Sequence, residues 1–173
     1  MRSPGKTRWW VLAACLMTLG AGRAEADGKA VIGQVRLYSP YATTVDRAIK
    51  GARQRLARPG CQRIFSDFQD AAGRPLQEGL ERMGATGEEF LGELLFYDGS
   101  EGERCLGGAT LAYTFPGSRV VFVCAAEFAR NARHDPFLTE AALIHESLHS
   151  LGLGENPPTS AAITARVMSR CRQ

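Results

Sequence analysis

A chain of 173 residues with 45% apolar and 23% charged side chains has the length and balance for one domain with a sizeable core. Its formal net charge of +3 comes from 21 basic and 18 acidic residues, and four of those bases but only one acid fall within the first 26 positions. Residues 27–173 therefore balance at 17 of each sign, which leaves no basic surplus for phosphate and argues against a nucleic-acid partner.

In chain order, the first 26 residues read as an export signal. Arg2, Lys6 and Arg8 open it, residues 9–19 are almost unbrokenly apolar, and Ala24-Glu25-Ala26 is a small-x-small cleavage site. The apolar run is too short to span a bilayer. Leu12-Ala13-Ala14-Cys15 also resembles the lipobox of bacterial lipoproteins, which would put a lipid anchor on Cys15; release after Ala26 is the main expectation, because few apolar residues precede that cysteine. The expected domain is then residues 27–173, exported to a periplasmic or extracellular space. Its four cysteines, Cys61, Cys105, Cys124 and Cys171, are even in number, as two disulfides require, with three connectivities open. Cys105 and Cys124 flank an expected hairpin, and pairing them would leave Cys61–Cys171 to tie the first half to the carboxyl end.

A strand is expected over residues 31–38, ended by Ser39-Pro40. Val45, Ala48, Ile49, Ala52 and Leu56 then space a helix over 44–56, which Pro59-Gly60 should stop. The region 61–87 is less regular, with a short helix expected over 76–83. Residues 90–97 suit helix or strand, the last four leaning to strand before Asp98-Gly99. Residues 109–115 and 119–124 read as two short strands joined by Pro116-Gly117-Ser118, and 125–131 as a short helix.

The next helix is the clearest element. Asp135 can cap it, Pro136 suits its first position, and Phe137, Ala141, Ile144, Leu148 and Leu151 form an apolar stripe. Gly152 can end it by turning the chain back. After Pro157-Pro158, Thr159 or Ser160 should cap a final helix toward Cys171, with Ile163 and Val167 inward. A mixed front half followed by two helices makes the expected class α+β.

Beside the apolar stripe the central helix carries His145-Glu146-Ser147-Leu148-His149. Residues four apart on a helix share a face, so both imidazoles can reach one metal ion while Glu146 stands close enough to handle a proton on water. Glu155, just past the Gly152 turn, is the candidate third ligand. His134 lies about 16 Å of helix rise from His145 and reads as a surface histidine.

The motif resembles that of the zinc metallopeptidases, and its extension through Gly152 to Glu155 resembles the metzincin branch of these zincins. The resemblance implies a zincin-like domain with a mixed or antiparallel sheet, an active-site helix and a closing C-terminal helix. It further implies zinc as cofactor, His145 and His149 as metal ligands, Glu146 as the catalytic general base and Glu155 where that branch usually places histidine or aspartate. The branch also places a methionine-containing turn beneath its metal. Here Met168 is the one methionine after the motif, and it falls inside the expected last helix, where ordinary packing is the better reading. A gluzincin arrangement needs a later glutamate, and no acidic residue follows Glu155. The stretch Gly154-Glu-Asn-Pro-Pro158 resembles a small family of exported bacterial proteins.

The expected activity is zinc-dependent hydrolysis of peptide bonds in a peptide, protein or cell-wall peptide, by a monomer with narrow specificity or with help from a partner. Tyr113 is a weak candidate for assisting a developing oxyanion, and the strand over 119–124 or its hairpin partner could lie beside an extended substrate. A cell-wall peptide amidase and a non-catalytic, disulfide-stabilised binding protein with a vestigial metal site are the alternatives. Cysteine nucleophiles are disfavoured because disulfides consume the thiols.

Overall fold

The computed structural model describes residues 34–37 and 41–172; the expected export segment and the ends of the strand expected over 31–38 lie outside them. Within these residues the protein is α+β, with eight α-helices and one small mixed sheet of four strands. The strands are β1 (Gln34–Arg36), β2 (Leu95–Asp98), β3 (Ala112–Tyr113) and β4 (Val120–Val123), in the spatial order β1-β2-β4-β3. β1, β2 and β4 are parallel, with Phe96 opposite both Val35 and Val121. Parallel neighbours cannot be joined by a tight turn, so helical segments carry the crossovers. β3 alone is antiparallel, with Tyr113 opposite Phe122, and it forms one edge of the sheet.

β3 is shorter than the strand expected over 109–115. Cys124 N–H still reaches Leu111 O at 3.0 Å, but before that the chain runs through Gly107-Gly108. After Tyr113, the Thr114 hydroxyl turns onto Val120 O and the chain leaves the ladder for the Pro116-Gly117 loop.

The helices follow the apolar spacing where it is long. α1 (Tyr41–Leu56) starts before the expected residue 44 and buries Val45, Ala48, Ile49, Ala52 and Leu56 as one face. Pro59-Gly60 does stop α1, yet it also opens α2 (Pro59–Gln62), because proline at a first helical position loses no needed N–H; a 3-10 turn (Arg63–Ser66) follows. α3 (Leu76–Met83) falls where expected. The ambiguous stretch over 90–97 divides between α4 (Gly87–Gly92) and β2. α4 is set by a capping box in which Thr86 and Glu89 satisfy each other's backbone N–H groups. α5 (Glu103–Leu106) was not expected, and α6 (Ala125–His134) runs three residues past the expected end.

α7 (Pro136–Ser150) and α8 (Ser160–Cys171) complete the chain. α7 differs from the expected helix with one covered and one open side: every residue from 143 to 150 is buried. The cause is its position, packed by α1, α6, α8 and β3. Burial of polar groups is costly without partners; Ser147 donates to Ile144 O at 2.6 Å, while the buried Ser150 hydroxyl has no partner among the described residues.

The two disulfides are Cys61–Cys171 and Cys105–Cys124, the expected pairing. The first holds α8 to α2. The same end of α8 is also held by Arg170, whose guanidinium donates twice to Asp67 at 2.7 and 2.8 Å, and by Arg55, which donates to Cys171 O at 2.8 Å. Arg170 keeps the Asp67 carboxyl below its ordinary pKa by hydrogen bonding.

Candidate metal centre

Both ends of α7 are built locally. Asp135 Oδ1 accepts from Leu138 N–H at 3.3 Å, and Pro136 occupies the first turn. At the other end Gly152 takes a φ of 106°, a conformation strained for any residue with a Cβ. The chain reverses there, with Gly152 N–H on His149 O at 2.8 Å and Leu153 N–H on Leu148 O at 3.1 Å. This reversal returns Glu155 to the histidines it has just passed.

The result is a cluster of three donors. His145 Nε2 and His149 Nε2 lie 2.9 Å apart, and Glu155 Oε1 stands 3.9 Å and 3.6 Å from them respectively. Donors held about 2.0–2.2 Å from a tetrahedral ion are roughly 3.3–3.6 Å from one another, and the observed separations bracket that spacing. The outer ring nitrogens are also fixed. His149 Nδ1 lies 2.8 Å from Leu153 O, which can only accept, so the proton sits on Nδ1 and the Nε2 lone pair faces inward. His145 Nδ1 lies 2.9 Å from the Thr164 hydroxyl on α8. Outer partners of this kind are what orient metal-binding imidazoles. Burial, reinforced by the neighbouring His149, pushes the His145 pKa down to about 4, so the ring is neutral and able to ligate at ordinary pH. The donor set therefore fits a divalent ion of borderline softness.

Glu146 sits in the same cavity of about 320 Å³, with Thr114, Phe115, Arg104 and the three donors in its wall. The residue is 7% exposed, and burial followed by the nearby Glu155 charge pushes its carboxyl pKa up to about 8. A hydrogen bond from the Thr114 backbone and the Arg104 charge oppose that rise. A second cavity of about 330 Å³ shares His145, Glu146, Thr110 and Ala112 with the first and continues past them toward Glu127 and Asn131. His145 and Glu146 thus stand where the two cavities adjoin along one extended trough.

The sequence-expected residues divide clearly. His145, His149 and Glu155 converge, and Glu146 faces the same space. His134 is the exposed last residue of α6 and stands outside the cluster. Met168 packs against the hydrophobic core and lines neither cavity. Tyr113 does line the first cavity, but its ring stacks on Phe122 at 5.2 Å and its hydroxyl lies against Gly102. Thr164, Leu153, Thr114 and Arg104 were not anticipated. They come from four separate segments, and no local pattern marks a threonine or a backbone carbonyl for an outer-partner role.

Compared with protein-family models, curated proteins and solved structures, the chain matches none. The two disulfides fit an oxidising, extracellular type of compartment, and none of the described helices is long and apolar enough to cross a membrane.

Proposed function

We propose that this protein is an exported, zincin-like zinc hydrolase that cleaves peptide bonds. The observation that carries the reading is the convergence of His145, His149 and Glu155 with a buried Glu146 in one open cavity. Zinc held by the three donors would supply a Lewis acid that polarises the amide carbonyl and acidifies water.

The chain's own groups supply the rest. Glu146, whose carboxyl pKa burial pushes up to about 8, would be held ionised by the charge of a cation on the three donors, and its Oε would then accept the proton of the attacking water and return it to the leaving amine. The Thr114 backbone and the Arg104 charge both favour the ionised form of that carboxyl. Ala112 and Tyr113 belong to the edge strand β3 and line the cavity, so an extended peptide can add to that edge by main-chain hydrogen bonds while its amide lies over the donors. Thr164 and Leu153 keep both imidazoles turned inward throughout.

Glu146→Gln tests the reading. It preserves shape but removes the proton acceptor, so zinc content measured by elemental mass spectrometry should stay near one per chain. Turnover of a peptide library should fall by about 100-fold or more. Normal turnover in this variant would remove Glu146 from the chemistry.

A further inference from the structure

Among the described residues one arginine and no lysine lines the trough, and its surroundings are unusual for a surface arginine. Arg104 lines the wall of the metal cavity from α5, and among the described residues no carboxylate lies within ion-pairing distance of it. Instead its guanidinium carbon lies 5.5 Å from the Tyr113 ring centroid and 5.3 Å from that of Phe115. The two rings meet edge to face at 6.5 Å, so together they form a shelf for the side chain. Phe115 is 52% exposed, a large apolar ring left in water at the cavity wall. α5 is only one turn long, but the Cys105–Cys124 disulfide fastens it next to β4.

A guanidinium resting on aromatic faces keeps its N–H edge free, and that edge matches a carboxylate by two parallel hydrogen bonds. The trough is also asymmetric. Glu146 and Glu155 share the first cavity with Arg104, whereas beyond the histidines the described lining of the second offers Glu127 and Asn131 and no Lys or Arg, so the Arg104 side alone has a cation to set against an incoming anion.

We infer that Arg104 is the specificity-determining residue of this cleft and that it selects substrates carrying a carboxylate close to the amide bond that is cut. The inference rests on the hydrolase reading for the amide but not for the binding. The carboxylate has two possible sources, the C-terminus of a short peptide or an Asp or Glu side chain.

The experiment is a calorimetric titration of zinc-loaded, full-chain Glu146→Gln protein, which binds without turning over. Four peptides serve as probes: acetyl-tetraalanine with a free C-terminus, its C-terminal amide, acetyl-Ala-Ala-Glu-Ala-amide and acetyl-Ala-Ala-Gln-Ala-amide. At least one carboxylate peptide should bind about tenfold or more tighter than its neutral counterpart, and which one identifies the source. Arg104→Gln in the same background should erase that difference while leaving the neutral peptides' affinity unchanged, and Arg104→Lys should restore part of it. Equal binding within both pairs, no binding of any probe, or a preference that survives Arg104→Gln would each overturn the inference. The last of these is the result expected if the ion on the three donors, and not Arg104, holds the carboxylate. Turnover of the parent protein is read separately. Carboxylate selection without turnover would bring down the hydrolase reading alone, and turnover without selection would bring down the role of Arg104 alone.

Discussion

At the scale of single residues, the site sets two buried groups titrating in opposite senses. With EDTA present, His145 folds with a pKa near 4 against an ordinary 6.5, so its contribution is complete above pH 6.5 and is lost as pH falls through 4. Glu146 folds with a pKa near 8 against 4.5, so its contribution is complete below pH 4.5 and is lost as pH rises through 8. Between 4.5 and 6.5 the two slopes oppose each other. Denaturant unfolding should therefore show a plateau there and a decline from pH 6.5 to 8, and Glu146→Gln should flatten that decline. Glu155 carries a second expectation. In a chelator-competition titration Glu155→Ala should lose more zinc affinity than the roughly 10–100-fold typical of losing an outer partner, while His134→Ala should lose none. Equal affinity in Glu155→Ala and the parent would take Glu155 out of the donor set.

At the scale of elements, α7 provides two of the candidate donors and the loop past Gly152 the third, while α8 and that loop orient the two imidazoles. Thr164 belongs to α8 and Leu153 to the loop after α7, and each holds the outer nitrogen of one histidine. Thr164→Val keeps the shape and deletes the hydrogen bond, so zinc affinity should fall by about 10–100-fold with the far-ultraviolet spectrum unchanged. The same scale shows how legible the site was. His145, Glu146 and His149 could be read because helical spacing alone puts them on one face. Glu155 could be read because Gly152 announces a turn. Thr164 and Arg104 could not, because their relevance depends on α8 and α5 being folded across the cavity, a consequence of long-range packing.

At the scale of the whole molecule, a disulfide far along the chain supports the site. Cys61–Cys171 closes a loop spanning 110 residues and secures the α8 end that Arg170, Asp67 and Arg55 also hold. Replacing both cysteines by alanine should cost about 2–5 kcal/mol in denaturant unfolding. It should also weaken zinc binding, because a loosened α8 no longer holds Thr164 against His145. Unchanged zinc affinity in the double variant would show that α8 is positioned by packing alone.

The sequence by itself determined the long helices and their caps, the donor-bearing face of α7, the third candidate donor past the turn and the even set of four cysteines; it left their pairing among three connectivities, of which the hairpin favoured the one observed. These rest on periodicity, on residues with restricted backbone choices and on the position of an expected hairpin, all of which act over short stretches of chain. Only the tertiary structure decided that α7 is buried throughout its second half, that β3 shrinks to two residues at the sheet edge and that α5 exists at all. It alone decided that Arg104 overlooks the donors. Such features follow from which distant surfaces exclude water together, and burial of that kind leaves no periodic mark on the segments that share it.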